Sequence, residues 1–332
     1  MNSFCLRNLK FVFAGLLLVL PFAINDRYIQ DIIVQTFLWA GLAASWNISC
    51  GYSRRFSIGH GAFLGVGAYT STILYMQLDV SPWIGMIAGA LISAIMALFL
   101  GRITLRLRGT FFVLTTIAFS ELLRIFAINA RGLTGGAMGL LLPFREGFFY
   151  MSWINKIPFA VITWVYMMAL LILSAWLEKS RFGYSLIAIG QDKDAAETLG
   201  VDSTNIMVRA FMLSAALTSV GGTIFAQYFL YVEPLMVMGL HQSSLQFIMI
   251  AFIGGVGTAF GPMVGALLII PLSIYLRGAF SHISGLHGMI YGVVLLLVVL
   301  VKPEGIIFTA NQAYRWILGI LGVEKIGKET VK

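Results

Sequence analysis

Between residues 83 and 101 the chain runs for 19 residues without one charged side chain. A run of about 20 apolar residues is what a bilayer-crossing helix needs, because in lipid each backbone N–H and C=O must be satisfied within its own segment. The run is one of ten. The others lie at 11–24, 32–49, 58–76, 110–128, 157–177, 210–231, 245–257, 262–276 and 288–301. The first, eighth and ninth are short for a full crossing and read as tilted or re-entrant segments. The expectation is an all-α, polytopic integral membrane helix bundle, a single domain over 1–332, with about 8–10 transmembrane helices and some broken or re-entrant segments. Composition agrees: 59% of residues are apolar and 11% charged, against roughly 25% charged in soluble domains. A soluble enzyme cannot cover its surface with so few charges, and disorder needs low hydrophobicity. Two cysteines make neither a disulfide scaffold nor a cysteine-rich zinc site.

The net charge of +8 would suit a nucleic-acid binder, but no basic run with interleaved aromatics is present. The basic residues sort by topology instead. With the N-terminus inside and ten crossings, Arg27, Arg131, Arg145, Lys156 and Arg277 fall outside, and Arg124 lies within a span. The other 16 of the 22 basic residues fall inside. Cytoplasmic loops carry such an excess. Both termini, the polar stretch 178–209 and the tail 302–332 are therefore expected in the cytoplasm, and 130–156 outside. The first segment has no small-x-small cleavage site, so it reads as an uncleaved span rather than a signal peptide.

Small residues recur every fourth position at Gly85, Gly89, Ser93, Ala97 and Gly101, and again at Gly257, Gly261 and Gly265. Gly59, Gly61, Gly65 and Gly67 crowd the third span. Such ladders let helix backbones approach closely, and they also occur in broken helices that line transporter pathways. Glu121 and Arg124 stand three apart inside the fifth span, close enough to pair on one helix face. They read either as a structural ion pair or as polar elements of a pathway. His60, beside glycines, reads as a packed, hydrogen-bonded histidine or as a polar pathway residue. Ion-coupled carriers tend to hold several midplane acids, and one is found here.

Catalytic signatures are missing. There is no His-Glu-x-x-His and no Gly-x-Ser-x-Gly. Residues 322–329 approach a phosphate-binding loop, but Glu329 stands where a hydroxyl must reach magnesium. No cofactor is expected on this chain. A stand-alone carrier or channel and a membrane-embedded enzyme are the competing classes; the sparse midplane acids count against the first and the missing catalytic constellation against the second.

Within 178–209, the run Gln191-Asp192-Lys193-Asp194-Ala195-Ala196-Glu197-Thr198-Leu199-Gly200 is charged and rich in helix formers, and Gly200 is placed to close a helix. A short helix outside the membrane is either a solvated connector or a lever that docks another protein. The spacing Asp-Ala-Ala-x-x-x-Gly resembles the Glu-Ala-Ala-x-x-x-Gly loop of ABC importer permeases, whose coupling helix sits in a cleft of the ATPase. Asp194 replaces the usual Glu, and a later Ile-x-Leu-Pro is absent. Six further segments, in order, extend the resemblance: 57–69, opening Ser57-Ile-Gly-His60-Gly; 106–112, opening Arg106-Leu-Arg-Gly; 118–124, holding Glu121 and Arg124; 133–139; 254–262; and 302–305. Between about Trp39 and Gly305 the chain resembles the LivM-type permeases of branched-chain amino acid ABC importers.

The resemblance implies a permease subunit of the bacterial inner membrane, paired with a second, different permease. Two ATP-binding subunits, carrying ATP and magnesium, would sit beneath, and a periplasmic amino-acid-binding protein would deliver substrate. Transport would proceed by alternating access, with Asp194, Ala195, Ala196, Glu197 and Gly200 in the coupling helix. Relatives of such permeases carry urea or short amides, and no residue pattern here separates those from leucine. No amino-acid carboxylate cage is recognisable along the sequence.

Overall fold

A computed structural model describes residues 13–24, 26–105 and 110–280, with scattered positions from 289 to 307. Most of the tenth expected span, the tail 302–332 apart from 305–307, and Arg106 and Arg108 lie outside the described residues.

The chain is a helix bundle. A short apolar helix, α1 (Phe13–Ala23), precedes α2 (Arg27–Trp46), which Asp26 caps by accepting the Tyr28 N–H. The crossing continues as a π-helical stretch, Asn47–Gly51. Then come α3 (His60–Leu78), α4 (Pro82–Thr104), α5 (Thr110–Asn129) and α6 (Ile157–Leu177). Proline in the first turn starts α4 and α6, where its missing N–H has no intrahelical partner to lose. Two short helices follow, α7 (Arg181–Gln191) and α8 (Lys193–Thr198), and then the long α9 (Ser203–Phe229). Six helices among the described residues have the length and apolarity to cross a membrane; α3, of 19 residues, is not one of the six.

Burial sorts the helices into layers. The crossing built on α2 is 89% buried, so it runs through the centre of the protein, whereas α4 and α5 are only 28% and 22% buried. Their outward faces carry Ile87, Leu91, Phe99, Phe111 and Phe126, which suit acyl chains or another membrane subunit. The inward face of α4 is the four-residue ladder itself: Gly85, Gly89, Ser93, Ala97 and Gly101 are all buried. A Cβ at Gly85 would lie 2.8 Å from Ser71 Cα on α3, and one at Gly89 3.1 Å from Gly67 Cα, inside normal contact. The glycines of α3 in turn meet Ser219 on α9 and Met238.

Three boundaries differ from the sequence-based expectation. The seventh crossing begins at Ser203 rather than 210, so Arg209 belongs to a helix, and the polar connector ends at Asp202, whose carboxylate caps α9. The backbone N–H of Asn205, and then its side-chain amide, hold the Asp202 carboxyl below its usual range. The eighth crossing begins upstream of 245. It is a broken helix: α10 (Pro234–Met238), an extended Gly239, a π-helical turn Leu240–Ser244, and α11 (Leu245–Gly254). The ninth is full length, α12 (Gly261–Ala279), with Pro271 inside it. Outside the membrane core, Leu140–Leu141 pairs antiparallel with Tyr231–Val232 and ties the 130–156 segment to the end of α9.

Candidate functional site

The polar connector folds as two capped helices. Ser180 accepts the Gly183 N–H to start α7, and Asp192 accepts the Ala195 N–H at 3.0 Å to start α8. On α7, Leu186 packs with Tyr52 and Ala210, while Ile189 joins Ala196, Leu105, Met207 and Phe211. Ala196 is thus the inward anchor of α8. Ala195, Asp194 and Glu197 face outward, with Lys193 pairing Glu197 at 3.5 Å. Leu199, four positions after Ala195, is 85% exposed. Gly200 has φ +87 with open space around it, so glycine is needed there for its backbone conformation, not for close approach. The outcome is a rigid base carrying a small exposed face with one large apolar knob. Leu199 was not singled out from the sequence; its place one turn beyond Ala195 was the available signal.

Two side chains that sequence reasoning also missed hold the turn that lies against this base. Between α11 and α12 lies a tight turn at residues 255–260, with Gly257 at φ +73. Asn47, from the π-helical end of the central crossing, grips it from both sides. Its Oδ1 accepts the Gly257 N–H at 2.8 Å, and its Nδ2 donates to the Thr258 carbonyl at 3.0 Å. Glu178, three residues before α7, accepts the Ala259 N–H at 2.7 Å and the Tyr52 hydroxyl at 3.1 Å. The connector and the turn therefore share one carboxylate. Beyond the turn, Gly261 and Gly265 face Gly255 and Ile250 so closely that a Cβ at either would strike backbone.

His60 is wholly buried and fully partnered. Nδ1 lies 3.2 Å from Ser57 Oγ and Nε2 2.9 Å from Ser214 Oγ, while the ring meets Phe63 and Phe211 edge-on. Ser214 donates to the Ser45 carbonyl at 2.7 Å, which knits α2, α3 and α9 together. Glu121 and Arg124 form an ion pair on α5, with Arg124 Nε 3.0 Å from Oε2. They flank the buried stripe Phe112, Thr116 and Ser120, and the Glu121 side chain remains 45% exposed. His60 and this pair belong to separate clusters. A cavity of about 540 Å³ opens elsewhere, among α2, α9, α11 and α12, with Glu233 and Arg277 in its wall.

The chain was compared with known proteins. Residues 28–299 match the family model described as the branched-chain amino acid transport system / permease component. The high-affinity branched-chain amino acid permease LivM of Salmonella typhimurium is 29% identical over 86% of this chain and 71% of its own length. LivH of Escherichia coli, also a branched-chain amino acid permease, is 25% identical over 81% of this chain and 91% of its own. The L-arabinose permease AraH of Escherichia coli is 24% identical over 60% of this chain and 59% of its own length. No solved structure matches. With its apolar crossings, its broken helix and a family match over most of its length, this multi-pass membrane chain belongs to the permease components of the branched-chain amino acid transport systems.

Proposed function

We propose that this chain is one permease subunit of an ATP-driven importer that carries branched-chain amino acids into the cytoplasm. In that assembly it pairs with a second permease in the bacterial inner membrane, and its single domain places both termini, the connector 178–202 and the tail in the cytoplasm. Two ATP-binding subunits hold ATP and magnesium, and a periplasmic binding protein delivers the amino acid. The carrying observation is the α7–α8 base. It is anchored through Ala196 and Ile189, presents Ala195 and Leu199 outward, and joins the core through Glu178. An apolar knob beside small residues suits insertion into a cleft of a soluble partner. Force on that knob passes through Glu178 to the turn between α11 and α12. ATP binding then favours one access state by its differential affinity for the two.

The test is reconstitution in proteoliposomes with two ATP-binding subunits, a second permease and a periplasmic binding protein from the same source. ATP-dependent accumulation of leucine supports the reading. ATP-dependent accumulation of urea, an amide or arabinose, with none of leucine, overturns the substrate. Uptake without any ATPase subunit overturns the class.

A further inference from the structure

The 540 Å³ cavity lies within the size range of small-molecule sites. In the topology proposed above it sits in the outer half of the bundle, since Glu233 follows the outer end of α9 and Arg277 lies in the last turn of α12. Its wall divides by chemistry. Trp39, Phe225 and Ile270 form an apolar side, and the Trp39 ring is fixed edge-on to Phe225 at 6.3 Å and tilted against Phe247 at 5.6 Å. Glu233, Arg277 and Gln246 form a polar side. The two charges do not neutralise each other. Glu233 accepts the Tyr231 hydroxyl at 3.0 Å, and among the described residues no carboxylate pairs with Arg277. Arg277 is exposed at the outer end of α12, and Glu233 is half-buried. An acid and a base left apart around one space are complementary to a ligand that carries both charges.

We infer that this cavity binds a zwitterionic α-amino acid with an apolar side chain. Arg277 receives the carboxylate through its guanidinium fork, and Glu233 receives the ammonium. The side chain lies on Trp39, Phe225 and Ile270. Gln246 stands on the broken helix, so occupancy is felt by the element that the 255–260 turn joins to α12. Urea and neutral sugars carry no charged groups to pair with either side chain and so forgo both charge-assisted hydrogen bonds. The inference rests on the permease reading for the identity of its ligand, and it adds the site and the residues.

The experiment uses the purified full chain and thermal unfolding in detergent with L-leucine, leucinol, which lacks the carboxylate, and 4-methylpentanoate, which lacks the ammonium. L-leucine is expected to raise the midpoint at least tenfold more potently than either analogue. Arg277→Gln and Glu233→Gln are each expected to weaken the leucine response by about tenfold or more. Equal potency of the three compounds, or no response to leucine, overturns the site. The analogue comparison needs no variant, so a misfolded variant does not rescue the inference. Leucine import by the full assembly, with no leucine response of this chain, sinks the site and leaves the permease reading standing. A leucine response here with ATP-independent import does the reverse.

Discussion

Replacing Glu178 tests whether the connector drives the membrane core. The carboxylate accepts the Ala259 N–H at 2.7 Å and the Tyr52 hydroxyl at 3.1 Å. A hydrogen bond to a charged acceptor contributes roughly 1.5–3 kcal/mol. Because Glu178 is only partly buried, water replaces some of what Glu178→Ala removes, and the expected loss is about 2–4 kcal/mol rather than the full sum. That loss falls locally, on the seating of the 255–260 turn, and shifts its docked population by more than tenfold. Asn47 still holds Gly257 and Thr258 from the other side, so the protein folds and inserts. The assay is paired measurement of ATP hydrolysis and leucine uptake in proteoliposomes holding the whole transporter. The expected result is hydrolysis retained and uptake per ATP reduced at least tenfold, with Glu178→Gln intermediate because its amide oxygen still accepts the Ala259 N–H. Unchanged uptake per ATP in Glu178→Ala would refute the linkage.

Further expectations follow from the same geometry. Ala195→Arg is accommodated by an exposed site, so membrane insertion stays intact while uptake is lost; normal uptake in proteoliposomes would remove α8 from the coupling role. Gly200→Val forces a β-branched residue to φ +87 at a cost of about 1–2 kcal/mol, and it too should abolish uptake without blocking insertion. Gly89→Leu drives a side chain into the Gly67 backbone and should destabilise the bundle by about 1–3 kcal/mol or more, read as a lower unfolding midpoint in detergent. Glu121→Ala breaks a half-exposed pair and should cost about 1 kcal/mol or less; lost transport at an unchanged midpoint would assign the pair to the pathway.

Local periodicity made part of this fold readable. The buried set on α4 is the small-residue ladder, because a spacing of four residues keeps one helix face in register and only small side chains fit there. The connector ends at Asp202 rather than Arg209, because aspartate before Ser203 caps a helix that carries Arg209 in its second turn. The break at Gly239 had less to announce it. Pro234 marks a helix start, but the π-helical turn after Gly239 is secured by tertiary contacts, among them the Gly61 N–H donating to Ser244 Oγ at 3.0 Å. The cavity was illegible for a related reason. Glu233 and Arg277 each read as an isolated charge near a span end, and only the packing of α2, α9, α11 and α12 makes them opposite walls. Asn47 and Glu178 act on backbone groups of the 255–260 turn, which no side-chain spacing in the sequence announces.

The ladder between α4 and its neighbours also restricts how the protein can change shape. Where Gly89 rests on Gly67 and Gly85 on Ser71, no side chain can swing aside to absorb a slide. Advancing by one rung would shift α4 by about 6 Å and force larger side chains through the same gap. Helices α3, α4 and α9 therefore behave as the fixed leaf of a hinge. Room for motion is left at the seam lined by Gln246, Met249 and Ile274, where the cavity separates the helices. The moving leaf is α11 with α12, and its short arm is the turn held by Asn47 and Glu178.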